Sequence, residues 1–177
     1  MDQIPFTRAN TDKKPIRFLS GDPTAYGNDD FRMPQLGYDL MRKTIADGTN
    51  HGYTQTVGQS STRAAVAKLY KTREQIPIDN VIIHHNANQG LMNVLMAFTN
   101  PGDEILVPEI GYPVFEKLAP AIQVKVHHYK LKSEKNFEID LEHAGSLVND
   151  RTQFIFVINP SNPMGTIFSL KHMQEIL

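Results

Sequence analysis

From residue 80 onward, short apolar runs alternate with amphipathic stretches. Residues 81–83 (VII) read as a buried strand and residues 91–98 (LMNVLMAF) as a nearly all-apolar helix, followed by the stop signal Asn100-Pro101-Gly102. The strand 104–108 (EILVP) comes next, then a helix over about 113–119 and a strand over 124–129 (VKVHHY). A helix capped by Asp140 places Leu141, Ala144 and Val148 on one face, and the strand 153–157 (QFIFV) closes the series. Strands alternating with helices predict an α/β fold: a mostly parallel central sheet with flanking helices and right-handed crossovers.

The two ends of the chain follow other patterns. Residues 1–33 form an irregular arm rich in Pro, Asp, Asn and Gly, with one short apolar piece, IRFLS. Pro34 then opens a helix in which Leu40, Met41, Thr44 and Ile45 share a face, and Gly48 suits its C-cap. After the glycine-punctuated stretch NHGYTQTVGQ, Ser60 and Ser61 offer caps for a second helix reaching about Lys71. Near the end, Ser169 reads as an N-cap, with Leu170, Met173 and Leu177 at i, i+3 and i+7. No C-cap or breaker follows. The expectation is a piece of a longer protein; the alternative is a helix that closes the chain.

Composition narrows the function classes. With 177 residues, 40% of them hydrophobic, the chain can bury one sizeable core. Lys plus Arg number 18 against 19 Asp plus Glu, so no general attraction to nucleic acid or an acidic membrane is implied. No apolar run approaches the ~20 residues of a membrane span, and the polar start does not read as a signal peptide. The chain has no cysteine, which excludes disulfides and thiolate metal sites and fits a reducing cytoplasm.

Three strand ends carry candidate chemistry. In HHNANQGL a strand passes into a helix, so the amides of Ala87, Asn88 and Gln89 would favour a phosphate or carboxylate; an ordinary Asn N-cap is equally compatible. In EIGYP, Tyr112 follows a strand and offers a stacking face for a flat ring, or is a simple rim tyrosine. In NPSNPMGT (159–166), Pro160 and Pro163 cannot continue the strand and make a stiff, stepped loop, either as a ligand platform or as a strand-ending turn. Ligands of open α/β sheets bind at such carboxyl ends. Other chemistries are set aside: there is no GxGxxG and no P-loop. The pairs His84-His85 and His127-His128 are read as structural, since adjacent strand residues point to opposite faces.

The ordered set GDPTAYGN (21–28), NHGYTQTVG, NPGDEILVP, FEIDL and NPSNPMGTIFS resembles the class I/II aminotransferases. These are pyridoxal 5'-phosphate (PLP) enzymes of fold type I, and the nearest branch is the tyrosine aminotransferases. The resemblance implies that residues 1–49 are an N-terminal arm and small-domain segment. Residues 50–177 would be an incomplete PLP-binding large domain. It further implies a cytoplasmic homodimer with shared sites that transaminates an L-amino acid, with an aromatic one as a candidate, against a 2-oxo acid.

Carried over by residue, Asn162 resembles the asparagine that donates to the cofactor's phenolic oxygen, with a cis bond expected at Asn162-Pro163. Tyr112 matches the ring that stacks on the pyridine, and Ala87 and Asn88 match the phosphate-cradling turn. Tyr53 resembles the tyrosine reaching the partner subunit's cofactor phosphate, and Gly21 the glycine beside the substrate carboxylate. Asn86 departs from the glycine often found in the cradle, where tolerance of a left-handed backbone would preserve the turn. The family's Schiff-base lysine, its aspartate and its substrate-binding arginine lie further along, so no catalytic residue is assigned and these 177 residues alone are expected to be inactive. The alternatives are a PLP-dependent lyase of the same fold and a non-enzymatic aminotransferase-like module, either in a regulator or as a decayed copy. No helix-turn-helix is evident.

Overall fold

The computed structural model describes residues 31–48, 51–70 and 76–177. Gly21 and the segment around it lie outside the described residues. The chain divides into two compact units between Thr54 and Gln55. In the first, helix α1 (Gln35–Ala46) starts directly after Pro34, whose φ of −57° is already that of a helix entrance. It ends at Asp47, whose N–H bonds Lys43 O, and Gly48 follows at φ 67°. None of the α1 residues is buried, Leu40, Met41 and Ile45 included.

The second unit is built around strand β1 (Glu104–Pro108), buried along its whole length. It lies centrally, with β2 (Lys125–Tyr129) on one side and β5 (Thr152–Ile155) on the other, both parallel to it. A strand's side chains alternate between faces, and here that alternation sorts the core. Ile105 and Val107 face Leu95 of α3 (Ala87–Phe98) and Phe115 and Ala119 of α4 (Phe115–Ala121). Leu106 faces the other way, into Tyr129, Ile139, Ala144 of α5 (Leu141–Leu147) and Phe168. A continuous apolar run is what a strand covered on both faces requires. Each fully buried Leu, Ile or Val contributes about 1.5–3 kcal/mol of transfer free energy.

Several expectations are corrected. Residues 81–83 form no strand: Ile83 N–H bonds Val57 O at 3.0 Å, and no strand pairs with them among the described residues. Helix α2 (Ser60–Leu69) has Gln59 at its N-cap, and Ser60 is its first residue, its hydroxyl bonded to Gln55 Oε1 rather than capping. Lys71 lies outside the described residues. Helix α3 begins a turn earlier than its apolar run. Asp140 does cap α5 by accepting His143 N–H, but Val148 falls past the helix and is exposed. Ser169 likewise caps α6 (Leu170–Ile176) through His172 N–H. The buried side of α6 is His172, Met173 and Ile176, whereas Leu170 and Leu177 face water. His172 Nε2 accepts Ile139 N–H at 2.9 Å, a polar contact that satisfies a buried strand amide and rotates the helix off its leucines. An unforeseen two-residue hairpin, β3 (Leu131–Lys132) with β4 (Glu138–Ile139), covers this face, turning through Asn136 and Phe137 at φ 53° and 59°.

Candidate functional site

The carboxyl ends of β1 and β5 share one edge of the sheet because the two strands run parallel, with Leu106 opposite Ile155. The turn after β1 is so tight that a Cβ on Gly111 would come within 2.6 Å of Pro108 Cγ. Glycine there lets the chain double back, and Tyr112 lands half-buried against the cluster of Leu95, Ile105 and Val107. Its hydroxyl donates to Asn88 Oδ1 at 2.8 Å. The strand-end aromatic and the start of α3, 24 positions apart, are thereby joined.

At the start of α3, Asn86 is an extended N-cap with φ −164°, and its Oδ1 accepts Gln89 N–H at 3.0 Å. No left-handed tolerance is called on at Asn86. The first intrahelical bond runs from Gly90 N–H to Asn86 O, so the amides of Ala87 and Asn88 precede the hydrogen-bonded ladder. Of the three amides suggested by the sequence, Gln89's is thus taken by the cap and two are left for a ligand. Gln89 instead reaches Asn93 through its side chain, and Asn93 Nδ2 lies 3.4 Å from His84 Nδ1.

Beyond β5, Phe156 N–H still bonds Leu106 O, and Phe156 O receives the hydroxyl of Tyr129 at 2.7 Å. Burial pushes the Tyr129 phenol up, which keeps it a neutral donor. Asn159-Pro160 and Asn162-Pro163 are both cis; only the second was expected. The loop closes on itself: Ser161 N–H bonds Thr166 O, and Gly165 N–H bonds Ser161 O with Gly165 at φ 70°. Asn159 Oδ1 accepts Phe168 N–H at 3.0 Å, a tie that sequence reasoning missed although an asparagine before a proline is a common turn former. Asn162 stands exposed at the loop's tip.

Asn88 and Tyr112 are in direct contact and Ala87 adjoins Asn88, while Asn162 lies in the loop that follows β5. Tyr53 belongs to the first unit and its ring is fully exposed. Ala87, Asn88, Tyr112 and Asn162 carry no formal charge, so the edge offers dipoles, a helix N-terminus and an aromatic face. Such groups suit an anion attached to a flat ring. The strong carboxylate chemistry lies elsewhere. Glu104, at the amino end of β1, is held below the usual carboxylate range first by the Asn149 side-chain N–H (2.8 Å), then by Lys125 and His127, against a desolvation cost. Among the described residues no cluster suits a metal ion. The paired histidines of β2 lie against separate carboxylates, His127 against Glu104 and His128 against Glu116.

Residues 15–177 match the family described as Aminotransferase class I and II. The tyrosine aminotransferase of Bos taurus is 36% identical over 173 residues, covering 96% of this chain and 38% of that protein. The Dictyostelium discoideum tyrosine aminotransferase is 33% identical over 171 residues, covering 96% and 40%. Among solved structures, tyrosine aminotransferase from Leishmania infantum has a TM-score of 0.82 at 30% identity, over 89% of this chain and 44% of that one. Alanine aminotransferase from Pyrococcus furiosus has a TM-score of 0.77 at 31% identity, over 83% and 38%. The chain therefore spans about two fifths of the length of these relatives. By a match across nearly all of its residues and a shared parallel-sheet architecture, this chain belongs to the class I and II aminotransferase family.

Proposed function

We propose that the protein carrying this chain is a PLP-dependent aminotransferase that exchanges an amino group between an L-amino acid and a 2-oxo acid, with an aromatic amino acid as the first substrate to test. Family membership supports this reading, and one observation carries it: the Tyr112–Asn88 hydrogen bond brings an aromatic ring beside the two open amides of a helix N-terminus. The residues present fit the cofactor. The amides of Ala87 and Asn88 lie outside the helix ladder and suit its phosphate, and the face of Tyr112 suits its ring. Asn162, exposed at the tip of a loop closed by its own backbone bonds, suits the phenolic oxygen.

When bound, PLP supplies the electron sink that makes the substrate's α-proton removable. The chain's own residues bind and orient. Ala87 and Asn88 hold the phosphate end, Tyr112 fixes the ring plane, and Asn162 donates a hydrogen bond that favours an ionised phenolic oxygen. Gly21 is read as lining the place of the substrate carboxylate, and Tyr53 as serving the cofactor phosphate of a partner subunit in a homodimer. Residues 1–49 would act as arm and small-domain segment, and residues 50–177 as part of the PLP-binding domain. The lack of cysteine supports a reducing, cytoplasmic setting.

The test is the full-length protein with PLP, offered a panel of L-amino acids and 2-oxo acids. Formation of a new keto acid together with amination of the acceptor is expected. Elimination products without an amino acceptor would instead establish a lyase, and a protein that takes up no PLP would be the non-enzymatic module.

A further inference from the structure

We infer that the Asn88 side chain is a positioning residue, a latch that sets the tilt of the Tyr112 ring and keeps the first turn of α3 open to an anion. The inference rests on the PLP reading of the same edge and deepens it: Asn88 acts through its side chain as well as its backbone.

Two geometric facts support it. The first is what the hydroxyl adds. Tyr112 packs through its ring against the cluster under α3, and apolar contact leaves rotation and tilt soft because it has no direction. The 2.8 Å bond from its hydroxyl to Asn88 Oδ1 is directional and fixes the far end of the ring to α3. The ring's two ends are then held by different elements, the backbone by the Gly111 turn and the hydroxyl by the helix. The second is what the bond denies to Asn88. An asparagine in the first turn of a helix competes for nearby backbone N–H groups with its own side-chain oxygen. With Oδ1 engaged by Tyr112, that competition is reduced at Ala87 and Asn88. Asn86, by contrast, has spent its oxygen on Gln89. The neighbouring asparagines therefore divide the work: one caps the helix, and the other holds the ring.

The experiment is a double-mutant cycle in the full-length protein, with Tyr112→Phe, Asn88→Ala and the pair together. Tyr112→Phe keeps the ring and removes only the hydroxyl; Asn88→Ala keeps the backbone amide. Three readouts are taken: the dissociation constant of PLP from the apoprotein, circular dichroism in the cofactor absorption band, and Tm. Each single variant is expected to weaken PLP binding roughly three- to tenfold, and the double variant no more than the worse single one, since both remove the same bond. The cofactor-band dichroism should change alike in all three, because it reports ring geometry. Tm should move little, Asn88 being exposed. Additive losses, or a Tyr112→Phe protein that binds PLP as the unaltered one does, would overturn the latch while leaving the aminotransferase reading intact. An unaltered protein that binds no PLP would overturn both. A cycle in which Tm falls in step with affinity would assign the bond to folding alone and also overturn the latch.

Discussion

Asn159 accepts the backbone N–H of Phe168 across nine positions, at 3.0 Å, and so ties the two ends of the loop that carries Asn162. The two asparagines of NPSNP are alike in sequence and different in work. Phe168 is buried, and without Asn159 its amide would be left unsatisfied, at a cost of about 1–3 kcal/mol. Asn159→Ala is therefore expected to lower stability by that amount in denaturant unfolding. Asn162 is exposed, so Asn162→Ala should change stability by no more than about 0.5 kcal/mol. In the proposed role its effect falls on cofactor affinity: a hydrogen bond to a charged acceptor is worth about 1.5–3 kcal/mol, roughly a ten- to hundredfold weaker PLP. The reverse pattern would mean that the roles are exchanged.

Gly111 and Gly145 predict opposite signs for the same substitution. A methyl on Gly111 would press on Pro108 Cγ at 2.6 Å and Pro108 O at 3.3 Å, so the turn must open. Overpacking of this kind costs about 1–3 kcal/mol. Because Tyr112 is the next residue, PLP affinity should drop along with Tm. Gly145 lies inside α5, where an added Cβ meets nothing within 4 Å. Gly145→Ala should raise stability by about 0.5–1 kcal/mol and leave PLP binding alone. Equal effects at the two positions would refute this reading of the turn.

The parallel sheet was legible because residues 104–108 and 154–158 are short apolar runs set off by Asn100-Pro101-Gly102 and Asn159-Pro160, and such runs are typical of a parallel sheet between helices. The cap of α5 was legible for a local reason: Asp140 bonds a donor three residues away. What failed depended on distant partners. Residues 81–83 have strand composition, but a strand needs a neighbour's hydrogen bonds, and composition does not say whether one is at hand. The face of α6 was misjudged because His172, a polar residue by its letter, is buried to satisfy Ile139, 33 positions earlier. Within the candidate site, the placement of Tyr112 and Asn162 in the loops after β1 and β5 followed from pattern. The Tyr112–Asn88 bond did not, since no local spacing predicts a contact 24 residues apart.

Glu104 sets an acid limit to stability. Its carboxyl is held below the ordinary glutamate value of 4.5 by the Asn149 N–H, with help from Lys125 and His127. A carboxyl whose folded pKa is depressed contributes stability that is fully present above its unfolded pKa. That contribution is lost as pH falls through the folded value. The window thus opens near pH 4.5 and extends below it. Asn149→Ala removes the largest cause of the depression, so the protein's loss of stability as pH falls below about 4.5 should become shallower. Asp140, also lowered, chiefly by His143 N–H, is unaltered in both proteins and remains as a common background. Unfolding free energy measured against pH for the two proteins checks this: parallel curves below pH 5 would show that Asn149 does not act through Glu104.

Tyr53 supplies the test of a shared site. Its ring is fully exposed, with a relative exposure of 111%, so replacing it disturbs no packing within its own unit. If it serves the neighbouring subunit's cofactor, Tyr53→Phe and Asn162→Ala damage one site from opposite sides of a dimer. Each homodimer then carries the same single defect in both sites. A hybrid of the two differs: one site combines the intact Tyr53 of one subunit with the intact Asn162 of the other, while the second site carries both defects. Mixing the variants under conditions of proven subunit exchange should therefore restore activity above the average of the separate proteins, up to the share of intact sites formed. Mixed variants that give only that average would place Tyr53 and Asn162 in the same subunit's site, or Tyr53 in none.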